Sequence, residues 1–362
     1  MKNKLILLLI LSLSVFSFAG CGAKNDPNAQ GTAPNATEKV TNAPNDTSED
    51  TPITGDAVKT GLAVISNASK SKDAGEEDGL AQADSVIVAV TVDKDGKIVK
   101  CIIDSAQTKI NFSKTGEIIT PLDAEFKTKN ELKDEYGMKK ASSIGKEWYE
   151  QAEALSEYVV GKTVDEVKGI AVNEKGAPAD SELATSVTVS IGGYIEAIET
   201  AVSNAQNIGA QSGDRLGLGV TTNIKNSKNA GEGDGLAQAY SSYAVATFDG
   251  DGKVTSCIIE GSQVNVNFSK DGKITSDINA SQPTKHELGD NYGMKKASSI
   301  GKEWYEQADA LAQYVVGKTV QEVKGISVNE KGAPADSELA ASVTVSIGGY
   351  IGLIEKASLS AK

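Results

Sequence analysis

The chain repeats itself. A shift of 156 residues lays residues 59–205 over 215–361 without a gap, so that Gly75 matches Gly231, Cys101 matches Cys257, Trp148 matches Trp304 and Ser186 matches Ser342. Residues 136–152 recur unchanged at 292–308, and 173–184 recur at 329–340. A unit of about 145 residues is long enough to bury its own core. The sequence therefore predicts two domains in tandem, 59–206 and 215–362, rather than a solenoid of small repeats. The segment between them, 207–214, is short and holds Gly209 and Gly213, and is expected to act as a hinge.

Each copy carries the same order of elements. Ser85-Val-Ile-Val-Ala-Val-Thr-Val-Asp93 is rich in β-branched residues and reads as a strand. An Asp95-Gly96 turn leads into a return strand over 98–104, which makes a hairpin. Residues 109–113 predict a third strand and 117–119 a short fourth. The period then changes. Over 147–160, Trp148, Ala152, Leu155 and Val159 share one helical face. A short helix is expected over 163–169. A last amphipathic helix carries Val187, Ile191, Tyr194, Ile195, Ile198 and Val202, with the run Val187-Thr-Val-Ser-Ile191 competing as strand at its start. The fold class is α+β: two tandem copies of a small antiparallel sheet with helices packed on one side.

The first twenty residues predict export. Lys2 and Lys4 precede an apolar run over 5–18, too short to span about 30 Å of hydrocarbon and the right length for a signal-peptide core. Phe18-Ala19-Gly20-Cys21 resembles the lipobox of bacterial lipoproteins, which implies that Cys21 takes a diacylglycerol and becomes the first mature residue. Residues 21–58 are built largely from Asn, Thr, Pro, Ala and Asp. Pro27, Pro34, Pro44 and Pro52 lie there, and the stretch is expected to be a disordered tether. The expected location is the outer side of the cell membrane, held by the lipid.

Composition excludes several functions. A formal net charge of −13 opposes binding to nucleic acid or an anionic lipid surface. One His and three Cys leave little for metal ligation. Cys101 and Cys257 read as buried strand thiols. His286 faces Asn130 in the other copy, so chemistry shared by the copies cannot depend on it. No Ser-His-Asp or Cys-His enzyme is expected, and no catalytic residue is assigned. Asp93-Lys-Asp95-Gly96 lacks the carboxylate that a calcium loop would need at Ile102, so it reads as a hairpin turn. Trp148 reads as core, with Tyr149 off its face.

The segment with most chemical content is Asp180-Ser-Glu-Leu-Ala-Thr-Ser-Val-Thr188, with its twin Asp336-Ser-Glu-Leu-Ala-Ala-Ser-Val-Thr344. Placed before a helix, it offers free N–H groups and hydroxyls to a phosphate, or merely caps the helix. Together with the hairpin over 90–103 and Gly161-Lys-Thr-Val164, it resembles the FMN-binding domain family of exported bacterial proteins. Members carry flavin in membrane quinone reductases and in surface electron transfer. In that family the segment reads Asp-x-x-Ser-Gly-Ala-Thr, and the final Thr takes the FMN phosphate. Asp180 and Asp336 match the Asp, and Ser186 and Ser342 stand at the Thr. Leu183 and Leu339 replace the Ser, and Ala184 and Ala340 the Gly. The resemblance implies FMN at Asp180, Ser186, Thr188, Asp336, Ser342 and Thr344, either covalent through Ser186 and Ser342 or non-covalent. It implies an electron carrier with a redox partner in the membrane or at the surface, rather than a stand-alone enzyme. The alternative expectation is a flavin-free binding lipoprotein on the same fold.

Overall fold

The computed structural model describes residues 55–362. The signal peptide, Cys21 and all but the last residues of the tether lie outside them.

The first copy runs β1 (Lys59–Asn67), β2 (Gly79–Val92), β3 (Ile98–Phe112), α1 (Lys129–Leu132), α2 (Trp148–Tyr158), α3 (Val164–Lys168) and α4 (Gly192–Ser203). The second runs β4 (Arg215–Asn223), β5 (Gly235–Phe248), β6 (Val254–Phe268), α5 (Lys285–Leu288), α6 (Trp304–Val315), α7 (Val320–Lys324), α8 (Ser337–Ala340) and α9 (Gly348–Ser360). Each copy forms an antiparallel three-stranded sheet, β1-β2-β3 or β4-β5-β6. The α+β class is as expected.

Two strand expectations change. The strands expected over 98–104 and 109–113 are one continuous β3, paired with β2 from Val92 back to Gly79. β1 was not foreseen. It pairs along β2 from Lys59 with Val92 to Asn67 with Asp84. The Asp93 turn is a hairpin: Asp93 Oδ1 accepts the amides of Asp95 at 2.9 Å and Lys97 at 2.8 Å.

Alternate side chains of β2 enter different cores. Val88 and Val90 pack with Trp148, Leu155, Val187, Ile191 and Ile198 beneath the helices. Ile87 and Ala89 point the other way and meet the other copy's sheet at Leu216, Leu218, Val220 and Val245. A strand buried on both faces reads as an unbroken apolar run, which is why Val-Ile-Val-Ala-Val shows no alternation. The two sheets thus pack face to face, with the helices outside. A second shared cluster joins Ile110 and Phe112 to Ile224, Val264, Val266 and Phe268.

The joining segment is held rather than free. Ala210 is fully buried, and its carbonyl accepts the Val58 amide at 3.0 Å. Asp214 Oδ2 accepts the Gln211 amide at 2.8 Å and the Thr255 hydroxyl at 2.5 Å. Thr60 Oγ1 and Ser256 Oγ meet at 2.7 Å across the copies. These bonds replace the expected hinge with a fixed crossing. Val58, read as the end of the tether, is 2% exposed and belongs to the packed unit.

Candidate functional site

The segment singled out by sequence is built alike in both copies. Asp180 Oδ1 accepts the amides of Glu182 at 2.9 Å and Leu183 at 3.2 Å; Asp336 Oδ1 does the same for Glu338 at 3.0 Å and Leu339 at 3.2 Å. The carboxylates therefore cap a short turn. Leu183 and Leu339, each 2% exposed, anchor that turn in the core. This accounts for an apolar residue at both positions. The Ser186 and Ser342 amides close the turn onto the Leu183 and Leu339 carbonyls, both at 2.9 Å. Both serines are half-buried, and their hydroxyls have no hydrogen-bond partner among the described residues.

The helix expected from Val187 begins five residues later, at Gly192. Val187 and Ile191 are core residues. Between them the backbone is drawn to α2: Gln151 Oε1 accepts the Thr188 amide at 2.8 Å, the Thr188 hydroxyl at 3.2 Å and the Val189 amide at 3.3 Å. Gln307 binds Thr344 and Val345 in the same way. Gln151 and Gln307 are fully buried. Thr188 and Thr344 are thus committed to internal bonds, and neither they nor Ser186 and Ser342 stand at the long helix's N-terminus.

Two further concavities lie elsewhere, and they form a pair. The first groove, of about 470 Å³, runs between β3, α1 and α2 of the first copy and β4 and α9 of the second. The second groove, of about 720 Å³, lies between β6, α5 and α6 of the second copy and β1 and α4 of the first. The repeat exchanges their walls: Leu62, Val64, Ile258, Glu260, Thr284 and Glu287 of the second groove correspond to Leu218, Val220, Ile102, Asp104, Thr128 and Glu131 of the first. Both volumes fall in the range of small-molecule sites, about 300–1,000 Å³.

Charged side chains distinguish the two. In the first groove Lys356 pairs with Glu131, and Lys362 Nζ lies 2.9 Å from Glu153 Oε1. Asp104 is buried at its floor, and burial lifts its carboxyl to about 6 against hydrogen bonds from Thr128, Ser105 and Asn130. In the second groove His286 stands between two carboxylates. Its Nε2 is 3.0 Å from Asp309 Oδ1 and its Nδ1 is 3.1 Å from Glu260 Oε1. The Nδ1 contact lies off hydrogen-bonding geometry, so it is an ion pair only. Burial acts to lower the imidazole value, but Asp309 and Glu260 outweigh it and hold His286 protonated up to about 10. Among the described residues no His, Cys, Asp and Glu cluster has metal-binding form. Cys257 borders this groove as a buried thiol that burial pushes up to about 12, so it is not a nucleophile at neutral pH.

Beside the groove, Lys285 is enclosed by Tyr240, Tyr292 and Trp304, with its Nζ 4.4, 4.7 and 4.7 Å from the ring centres. Burial lowers this ammonium to about 8. Trp304 is 3% exposed and Trp148 is 2% exposed, core residues as expected; Tyr149 lines the first groove.

His286 was set aside because Asn130 faces it in the alignment. That divergence was itself the available signal. The grooves draw residues from both copies, more than a hundred positions apart, so spacing within one copy does not reveal them.

No family model matches the chain, and no solved structure matches it. A stretch of 41 residues is 54% identical to a chlorophenol reductase of Desulfitobacterium hafniense, covering 11% of this chain and 12% of that protein.

Proposed function

We propose that the chain is a lipid-anchored extracytoplasmic protein, held through Cys21, whose two FMN-binding-like copies carry flavin and pass electrons at the cell surface. One observation carries this reading. Each copy presents a half-buried serine, Ser186 or Ser342, whose hydroxyl has no hydrogen-bond partner among the described residues, just after a carboxylate-capped turn. Such a hydroxyl is reachable by a modifying enzyme and can form a phosphoester. FMN attached there would supply one- and two-electron redox chemistry; the protein would supply position and a link to the membrane. The limited likeness to a protein named for a reduction is in keeping with this role.

The fit is to attachment, not to a phosphate cradle. The Thr188 and Val189 amides that could hold a phosphate are bound by Gln151. That observation favours a second reading, a flavin-free binding lipoprotein that uses the grooves between the copies. A visible spectrum of protein purified from its native host separates the two, with masses of the peptides containing Ser186 and Ser342. Yellow protein with an FMN adduct on both serines supports the first reading. Colourless protein with unmodified peptides removes it and leaves the second.

A further inference from the structure

We propose that the second groove binds a small primary ammonium compound with an apolar body. The first groove shows why. There Lys356 reaches in from α9, and its ammonium bonds Glu131 and the Val220 carbonyl, the latter at 2.5 Å. An ammonium held by one carboxylate and one carbonyl is the arrangement a ligand amine would seek. The repeat builds the same receptor in the second groove, where Glu287 stands for Glu131 and Val64 for Val220. Its native ammonium is missing, because Thr200 occupies the position of Lys356. Glu287 Oε2 accepts the Thr284 amide at 2.7 Å, just as Glu131 Oε2 accepts that of Thr128 at 2.8 Å. The other oxygen, paired with Lys356 in Glu131, has no partner in Glu287 among the described residues.

The remaining charges agree. All three acids of the first groove keep an acidic counterpart: Asp104 becomes Glu260, Glu131 becomes Glu287 and Glu153 becomes Asp309. All three of its lysines lose their charge: Lys133 becomes Gly289, Lys356 becomes Thr200 and Lys362 becomes Gln206. The one cation gained, His286, lies against Glu260 and Asp309, and Glu287, an exposed side chain at the mouth of the groove, has no cationic partner among the described residues. The shorter Thr200 side chain also leaves room, and the cavity is 720 Å³ against 470 Å³. Leu62, Ile258 and Ala312 give an apolar wall for the body of the ligand. The inference does not rest on flavin at Ser186 or Ser342.

The chain has a single histidine, so the His286 imidazole resonance reports on this groove alone. The full chain is titrated with hexylammonium, and in parallel with hexanol, hexanoate and hexyltrimethylammonium. Hexylammonium is expected to give a saturable shift and to raise the melting temperature. The alcohol and the carboxylate should do neither, and the quaternary compound, which cannot donate to the Val64 carbonyl, should bind more weakly. Thr200→Lys restores the first groove's internal ammonium, and should weaken binding by about tenfold or more without loss of fold. Lys356→Thr should open the first groove and raise the stoichiometry from one to two. The proposal is overturned by absence of saturation up to about 10 mM, by equal binding of hexanoate, or by unchanged binding in the Thr200→Lys protein.

Discussion

Phe112 and Phe268, counterparts in the repeat, stack face to face, with ring centres 4.3 Å apart and planes 13° from parallel. Each is fully buried at the end of its strand, in the cluster that joins the two sheets. Gly79 faces the ring of Phe112, and Gly235 that of Phe268; a Cβ at either position would collide with the ring. The pair joins the buried layers of the two copies, and this has measurable consequences.

Phe112→Ala should cost about 3–5 kcal/mol, the usual loss for an aromatic removed from a core. Because the cavity opens onto both copies, chemical denaturation should remain a single transition with a lower midpoint. Two separated transitions, one at the parental position, would show that the copies unfold independently. Gly79→Ala should also destabilise, through overpacking against the ring.

A copy produced alone, residues 55–206, would leave Leu62, Val64, Ile87, Ala89, Ile102 and Ala106 uncovered. Each large side chain of such a layer contributes about 1.5–3 kcal/mol when buried. The isolated copy is therefore expected to dimerise through this face or to aggregate. Sedimentation showing a stable monomer at micromolar concentration would refute this.

The grooves should give two pH signatures of the same sign in separate windows, each a loss of stability as pH rises. Asp104 has a folded value near 6, above its ordinary 3.8, so its contribution to stability falls as pH rises from about 4 to about 6. Asp104→Asn removes that loss. Relative to the parent it should gain stability across this window, by up to about 3 kcal/mol, and level off above it. His286 is raised, from 6.5 to about 10, so its contribution is complete below about 6.5 and is lost as pH climbs through about 10. His286→Asn, which installs the other copy's residue, should flatten that alkaline decline. Denaturation midpoints measured from pH 4 to 10 for the three proteins decide both points.

Gln151→Leu would strand the Thr188 and Val189 amides beside an apolar side chain. Unsatisfied buried donors cost about 1–3 kcal/mol each. Hydrogen exchange over residues 183–191 should accelerate in this variant, while the equivalent segment held by Gln307 keeps its protection. Equal rates in both segments would show that Gln151 does not order the loop carrying Ser186.

Much of this architecture was legible from local pattern. The hairpin around Asp93, the Trp148 helix and the α3 turn each depend on neighbours in sequence. β1 was missed because Gly61 interrupts it, as Gly217 and Gly219 interrupt β4. Gly61 is required where β1 passes under α4, since a Cβ there would strike the Ala201 carbonyl. The start of the last helix was misplaced because Val187 and Ile191 satisfy a helical period while serving as buried anchors of an extended loop. The candidate serines were picked from sequence alone, and their surroundings depend on Gln151, 35 residues before Ser186. The grooves were beyond reach for a different reason: nothing in one copy tells that its strands will face the strands of the other.

The eight-residue crossing at 207–214 has a consequence for how this molecule can change. Two separate chains meeting at such a face would obey strict symmetry, so any substitution would appear in both grooves at once. Joined covalently, the halves meet at an effective concentration of about millimolar whatever the cellular abundance, and association tolerates local losses. A lysine can then leave one groove while its twin keeps the other filled. The covalent crossing thus lets a single chain keep an occupied groove and a vacant one side by side, a pairing that a symmetric dimer of identical chains is denied.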